Sequence, residues 1–133
     1  MKTEIAKNDL YEIYVDKKKN RTHIIYKGFW ENLNAVPNLL EDHKRAMNEV
    51  RRGFDSITDI SEMKTPGQDV MPILIEMKNI SIKKGQDKVA RIVDKALIKI
   101  VSQRIDRDSE TDLETQNFAT YKEAEAWLDS FKN

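Results

Sequence analysis

The chain has 133 residues, 23 lysines and arginines against 23 aspartates and glutamates, a formal net charge of zero and no cysteine. That length suits a single domain, residues 1–133, able to bury about two-thirds of its unfolded surface. Balanced charge removes the net positive field that draws proteins to nucleic acid or anionic membranes, and the lack of cysteine excludes disulfides, thiolate nucleophiles and zinc–sulfur sites.

In chain order, Met1 to Asn8 lacks the apolar core of a signal peptide. No stretch approaches the ~18 apolar residues of a membrane span. A cytoplasmic protein is expected. Leu10 to Asp16 alternates as a strand should, and Thr22 to Phe29 is rich in β-branched and aromatic residues. The polar turn Lys17-Lys18-Lys19-Asn20-Arg21 between them makes an N-terminal β-hairpin. This basic turn reads best as a solvated tip whose lysines discourage edge-to-edge pairing.

A first helix is expected from Asn34 as N-cap, with Pro37 in its first turn, where a missing N–H is harmless. Val36, Leu39, Leu40, His43, Met47 and Val50 recur at helical spacing, and Gly53 suits a left-handed C-terminal position. Phe54 to Ile60 reads as a strand, polar for a central one because aspartates are poor strand formers. The second helix is expected to take Asp69 as cap and Pro72 in its first turn. Its stripe is Ile73, Leu74, Met77 and Ile80, and Gly85 ends it. Val89 to Val93 is a short strand. Asp94 then caps a third helix carrying Leu97, Ile100, Val101, Arg104 and Ile105. A final strand ends at Phe118, and Thr120-Tyr121-Lys122-Glu123 forms a capping box opening a last helix with an Ala124, Trp127, Leu128, Phe131 stripe. The order β-β-α-β-α-β-α-β-α predicts an α/β fold, a mixed but mostly parallel sheet with the hairpin at one edge and about four helices.

The best candidate site runs from Ser61 to Asp69. Ligands and partners of open α/β sheets favour the crevice beyond the carboxyl ends of the strands, and the second helix would aim free amides there. A phosphate on Ser61 or Thr65 would gain from that helix end, against opposition from Glu62 and Asp69. The plainer alternative is that both hydroxyls make turn and cap hydrogen bonds. His23 and His43 read as packing residues, with no partner at metal-ligand spacing. Asp55, Asp59 and Glu62 are acidic, but paired-carboxylate chemistry needs a second acid that sequence cannot place. Trp30 is expected in the core. Met63, Met71 and Met77 also suit a core, although exposure of Met63 with Met71 would mark an adaptable interaction surface.

Three stretches, Tyr26-Lys27-Gly28, Ile57-Thr58-Asp59-Ile60 and Phe118-Ala119-Thr120-Tyr121-Lys122-Glu123-Ala124-Glu125-Ala126-Trp127-Leu128, resemble the SpoIIAA-like family, related to the STAS domains of anti-sigma-factor antagonists. The resemblance implies a sheet of four or five strands, antiparallel at its N-terminal edge, under packed helices. It also implies a non-enzymatic regulatory domain that binds a protein partner, with no cofactor and no metal. Phospho-regulated members carry an Asp-Ser-Ser/Thr-like turn where this chain has Asp59 to Gly67. Here only the hydroxyls of Ser61 and Thr65 remain, so the expected contact residues are Asp59, Ser61, Glu62, Met63, Thr65 and Asp69. Neither nucleic acid nor membrane is expected as a partner, and a homodimer is admissible. The alternative function is a carrier or sensor of a small apolar or amphipathic ligand held between helices and sheet.

Overall fold

The structure, a computed structural model, describes residues 2–93 and 114–132. Strands β1 (Thr3–Lys7), β2 (Tyr11–Asp16), β3 (Arg21–Gly28), β4 (Asp55–Met63), β5 (Lys88–Ile92) and β6 (Glu114–Phe118) form one sheet in strict sequence order. The first two pairings are antiparallel and the remaining three parallel. Helices α1 (Leu39–Met47) and α2 (Met71–Lys84) carry the first two parallel crossovers, and α3 (Tyr121–Asp129) closes the chain. The expected third helix, Leu97 to Ile105, and its Asp94 cap lie outside the described residues.

Each face of the sheet has its own core. Tyr11, Ile13, Val15, Ile24, Phe54 and Ile60 pack under Leu39, Ala46 and Met47 of α1 and Leu74 and Met77 of α2. On the opposite face Ile57, Ala90 and Ile92 pack under Ala124 and Leu128 of α3. The strand alternation that sends Ile57 one way and Ser56 the other requires this two-sided cover.

The polar β4 belongs at the centre because its neighbours answer it. Fully buried Arg21 on β3 holds Asp55 in a fork, Nε to Oδ1 at 2.7 Å and Nη2 to Oδ2 at 3.1 Å. Its Nη1 donates to Asp129 at 2.8 Å and also to Glu125, both on α3. Ser56 hydrogen-bonds Thr22, and Gln86 Nε2 donates to its hydroxyl at 2.7 Å. Buried polar groups paired in this way are tolerated.

Several boundaries depart from the sequence reading. β1 was not expected. It is a short edge strand in which only Ile5 is buried, and its register slips between Glu4 and Ala6, so the apolar alternation that marks β2 is missing. The sheet therefore has six strands rather than four or five. α1 starts at Leu39, because Asn32 instead caps a single 3-10 turn, Leu33–Ala35, by accepting the Asn34 amide at 2.9 Å. Gly53 does adopt a positive φ of 90°, but in the loop before β4, after α1 has ended at Met47. Asp69 does not cap α2, whose first residue is Met71. It lies in a 3-10 turn, Gln68–Val70, and its Oδ2 accepts the Leu33 amide at 3.2 Å. Gly85 ends α2 with φ 105°, as its position predicted.

Candidate functional site

The carboxyl end of β4 is bent by a bulge. Ile25 pairs with Asp59 and Lys27 with Glu62, so Ile60 and Ser61 together face Tyr26. Bulges re-aim side chains at such strand ends. Here Asp59 Oδ1 accepts both the Ser61 amide at 2.9 Å and the Ser61 hydroxyl at 2.6 Å. Beyond the bulge β4 continues, so Ser61, Glu62 and Met63 stand on a strand and the connecting loop shortens to residues 64–67. The aspartate–serine bond and the bulge are what let the polar segment remain paired.

Two backbone bonds tie that loop to the segment leaving β3. The Lys64 amide donates to Gly28 O at 2.9 Å and the Gly67 amide to Trp30 O at 2.8 Å. Gly67 is in close contact with this segment. A Cβ there would lie 2.1 Å from Glu31 O, although its own φ of −60° is ordinary. Asp69 adds a third tie through Leu33. Between the anchors Pro66 turns inward and Thr65 is exposed.

Beside Lys64, in the segment that leaves β3 after Gly28, Phe29 points out and Trp30 in. Phe29 is 50% exposed, while Trp30 is fully buried. The Trp30 indole N–H donates to Leu10 O at 3.2 Å and Lys27 O at 3.1 Å, and its ring meets Tyr26 edge-on at 4.8 Å. Buried tryptophans usually need such a partner for their N–H. Trp30 is thus the core residue the sequence predicted. Phe29 was not singled out from the sequence: it lies just past the end of β3 at Gly28, where no period-2 alternation assigns it a side.

The six expected site residues separate into three groups. Thr65, Glu62 and Asp69 are exposed, with Asp69 partly occupied by Leu33, whereas Asp59 and Ser61 are half-buried and satisfy one another. Met63 is buried, as is Met71, so the exposed methionine pair does not form. Glu31, two residues after Phe29, and Lys64, whose amide bonds Gly28 O, are exposed as well.

Both histidines pack in the interior. His43 Nε2 lies 2.9 Å from the Ser81 hydroxyl, which itself donates to Met77 O at 3.0 Å. The hydroxyl proton is committed, so His43 is the donor and its Nδ1 carries a bare lone pair. Burial pulls its pKa down to about 4. His23 on β3 stacks against Tyr121 with ring centres 5.6 Å apart and hydrogen-bonds its hydroxyl through Nδ1. Burial, with Lys2 and Arg21 nearby, lowers the His23 pKa to about 3. Among the described residues no group of His, Asp and Glu has a geometry that could hold a metal ion, and no helix is long and apolar enough to cross a membrane.

Comparison with known protein families returns no match, and neither does comparison with curated proteins. Solved structures do match. An uncharacterized protein of the DUF3478 family from Shewanella loihica PV-4, described as having a SpoIIAA-like fold, superposes with a TM-score of 0.66 at 15% identity, over 92% of this chain and 97% of that one. This chain has a SpoIIAA-like fold. SiaC of Pseudomonas aeruginosa matches with a TM-score of 0.53 at 9% identity, over 89% of this chain and 99% of that one. A second structure, apo-SiaC of the same organism, gives 0.54 at 7% identity, over 87% and 98%. At these identities the likeness is one of fold, and the SpoIIAA-like resemblance carried by Tyr26–Gly28, Ile57–Ile60 and the Thr120-capped α3 holds at that level.

Proposed function

We propose that this is a non-enzymatic regulatory domain that docks a protein partner on the surface formed by Phe29, Lys64 and Thr65, at the carboxyl ends of β3 and β4. The observation that carries this reading is an exposed phenylalanine beside an exposed hydroxyl on a loop fixed at both ends. A rigid, solvent-facing aromatic is a good interface anchor, because it loses little conformational entropy on binding.

Thr65 is the regulatory hydroxyl in this reading and Ser61 is not. The Ser61 hydroxyl is engaged by Asp59 inside the strand, so a phosphate there would meet a carboxylate 2.6 Å away and break the bulge. Thr65 is exposed and directly follows exposed Lys64. A phosphate on it would add about −1.5 to −2 charges to the docking rim without disturbing a buried contact. The SpoIIAA-like fold supports the reading, and the absence of an Asp-Ser-Ser turn places the burden on Thr65 alone.

The test is affinity purification of the intact protein from its own cells, with Phe29→Ala, Thr65→Glu and Ser61→Ala run in parallel. A protein retained by the wild type and Ser61→Ala, lost with Phe29→Ala and altered in amount with Thr65→Glu, is the expected result. A retained set identical across all variants would refute it.

A further inference from the structure

Zero net charge conceals an uneven distribution. At the amino ends of the parallel strands three separate loops come together. Arg51 N donates to Asn20 Oδ1 at 2.8 Å, Asn20 Nδ2 returns to Arg51 O at 3.0 Å, and Arg51 Nη1 reaches Lys17 O at 3.4 Å. Gly53 N donates to Gly85 O at 2.7 Å, and the Arg52 side chain lies against Gly85. Exposed Lys17, Lys18, Arg51 and Arg52 therefore share one end of the molecule, with Lys83 of the last turn of α2 beside them. Lys17 has a 3.5 Å pairing with Glu49, whereas Lys18, Arg51 and Arg52 form no ion pair within the described residues.

Helix dipoles account for part of this arrangement. The crossover helices α1 and α2 start at the carboxyl ends of the strands, so Glu41 and Asp42 sit in a first turn and Lys83 and Lys84 in a last one, each opposite the local dipole. The dipoles do not account for Lys17, Lys18, Arg51 and Arg52, which belong to loops. At the far end, exposed Glu31 stands two residues after Phe29 and exposed Glu62 pairs with Lys27, two residues before it; both answer the basic cluster in sign, with Lys64 the cation of the same end.

We infer that the basic amino end of one molecule docks on the Phe29-centred, acidic carboxyl end of a second copy, head to tail. The two surfaces are different patches of the same chain, so the contact is heterologous: it closes into a ring or grows in one direction. Its charges are solvent-exposed and surround a single aromatic ring, so it is weak, salt-sensitive and reversible. It would cover Phe29 and Thr65, making self-association a competitor of any partner docking there. The inference shares that surface with the proposed function but does not depend on it, since the test uses the purified chain alone.

Sedimentation velocity over a concentration series reads it directly. Species larger than the monomer are expected at about 0.01 M salt, where charges act over ~30 Å, and dispersal is expected near 0.5 M, where screening is complete within a few ångströms. The tail variant Lys18→Glu/Arg51→Glu and the head variant Glu31→Lys/Glu62→Lys should each be monomeric alone. Mixed in equal amounts they should associate again, because the intact head of one meets the intact tail of the other. A wild type that is monomeric under all conditions, oligomers indifferent to salt, or a mixture that stays monomeric would overturn it. If a charge reversal lowers the melting temperature, Lys18→Gln/Arg51→Gln and Glu31→Gln/Glu62→Gln serve in its place, with the same outcomes.

Discussion

Replacing Gly67 by alanine places a methyl group against the backbone that holds the docking loop. The new carbon would sit 2.1 Å from Glu31 O. An ordinary contact needs about 3.5 Å, so the two segments must separate by about 1.4 Å. That displacement stretches the 2.8 Å bond from Gly67 N to Trp30 O past usefulness. Overpacking of this kind costs about 1–3 kcal/mol, and losing a backbone hydrogen bond about 1 kcal/mol more. Because φ at Gly67 is −60°, alanine fits the local conformation and would by itself stabilise by about 0.5 kcal/mol through the unfolded chain. The net expectation is a loss of about 1.5–3.5 kcal/mol. Urea unfolding should show a lower midpoint at unchanged slope, and partner docking should weaken with it. An alanine variant as stable as the wild type, or more so, would refute the claim that this close approach fixes the loop.

Two further predictions concern the interior. His43 and His23 are held neutral, with pKa values of about 4 and about 3 against 6.5 in the unfolded chain. Below 6.5 the unfolded state binds protons that the folded state refuses, so stability falls with pH from 6.5 down to the folded-state values; at pH 5 the loss is about 2 kcal/mol per histidine. Denaturation at pH 7 and pH 5 should show roughly this sum, and His43→Leu should remove about half of the dependence; a pH-independent midpoint would contradict the burial assignments. Arg21→Met should destabilise by about 3–5 kcal/mol, because Asp55 keeps only Lys132 at 3.4 Å, while Arg21→Met/Asp55→Leu should recover much of that loss. A double variant no better than the single one, by calorimetry, would mean that the pair does not act as a unit.

What the sequence revealed follows from where the physics is local. The Thr120 cap is short-range, and Thr120 Oγ1 accepts the Glu123 amide at 3.2 Å as the pattern requires; the Glu123 carboxylate, however, meets the Thr120 hydroxyl at 2.9 Å rather than its amide. The β2–β3 hairpin, the β4 strand and the Gly85 terminus were likewise legible from alternation and turn chemistry. The start of α1 was not, because Asn32, Asn34 and Asn38 can each initiate a turn and tertiary packing of Leu33 chooses among them. Ser61 and Glu62 read as loop, since nothing local announces that Asp59 will absorb the serine hydroxyl and let pairing continue. Arg21 read as the last residue of a solvated basic turn, whereas it is buried at the start of β3; its partners Asp55, Glu125 and Asp129 are 34, 104 and 108 residues away, so nothing local announced them. Thr65 stood out because it was a hydroxyl in the expected loop. Phe29 did not, because it lies just beyond β3, where no alternation marks a side chain as outward.

On this reading, the Phe29–Thr65 surface is where another protein docks. Photo-crosslinking in living cells tests it most directly, with benzoylphenylalanine replacing Phe29 in one strain and Phe131, exposed at the end of the chain, in another. The account predicts a discrete adduct with a foreign protein at position 29, absent at 131 and abolished by excess wild-type chain but not by excess Phe29→Ala. No adduct at position 29, or the same adducts from both positions, would contradict it.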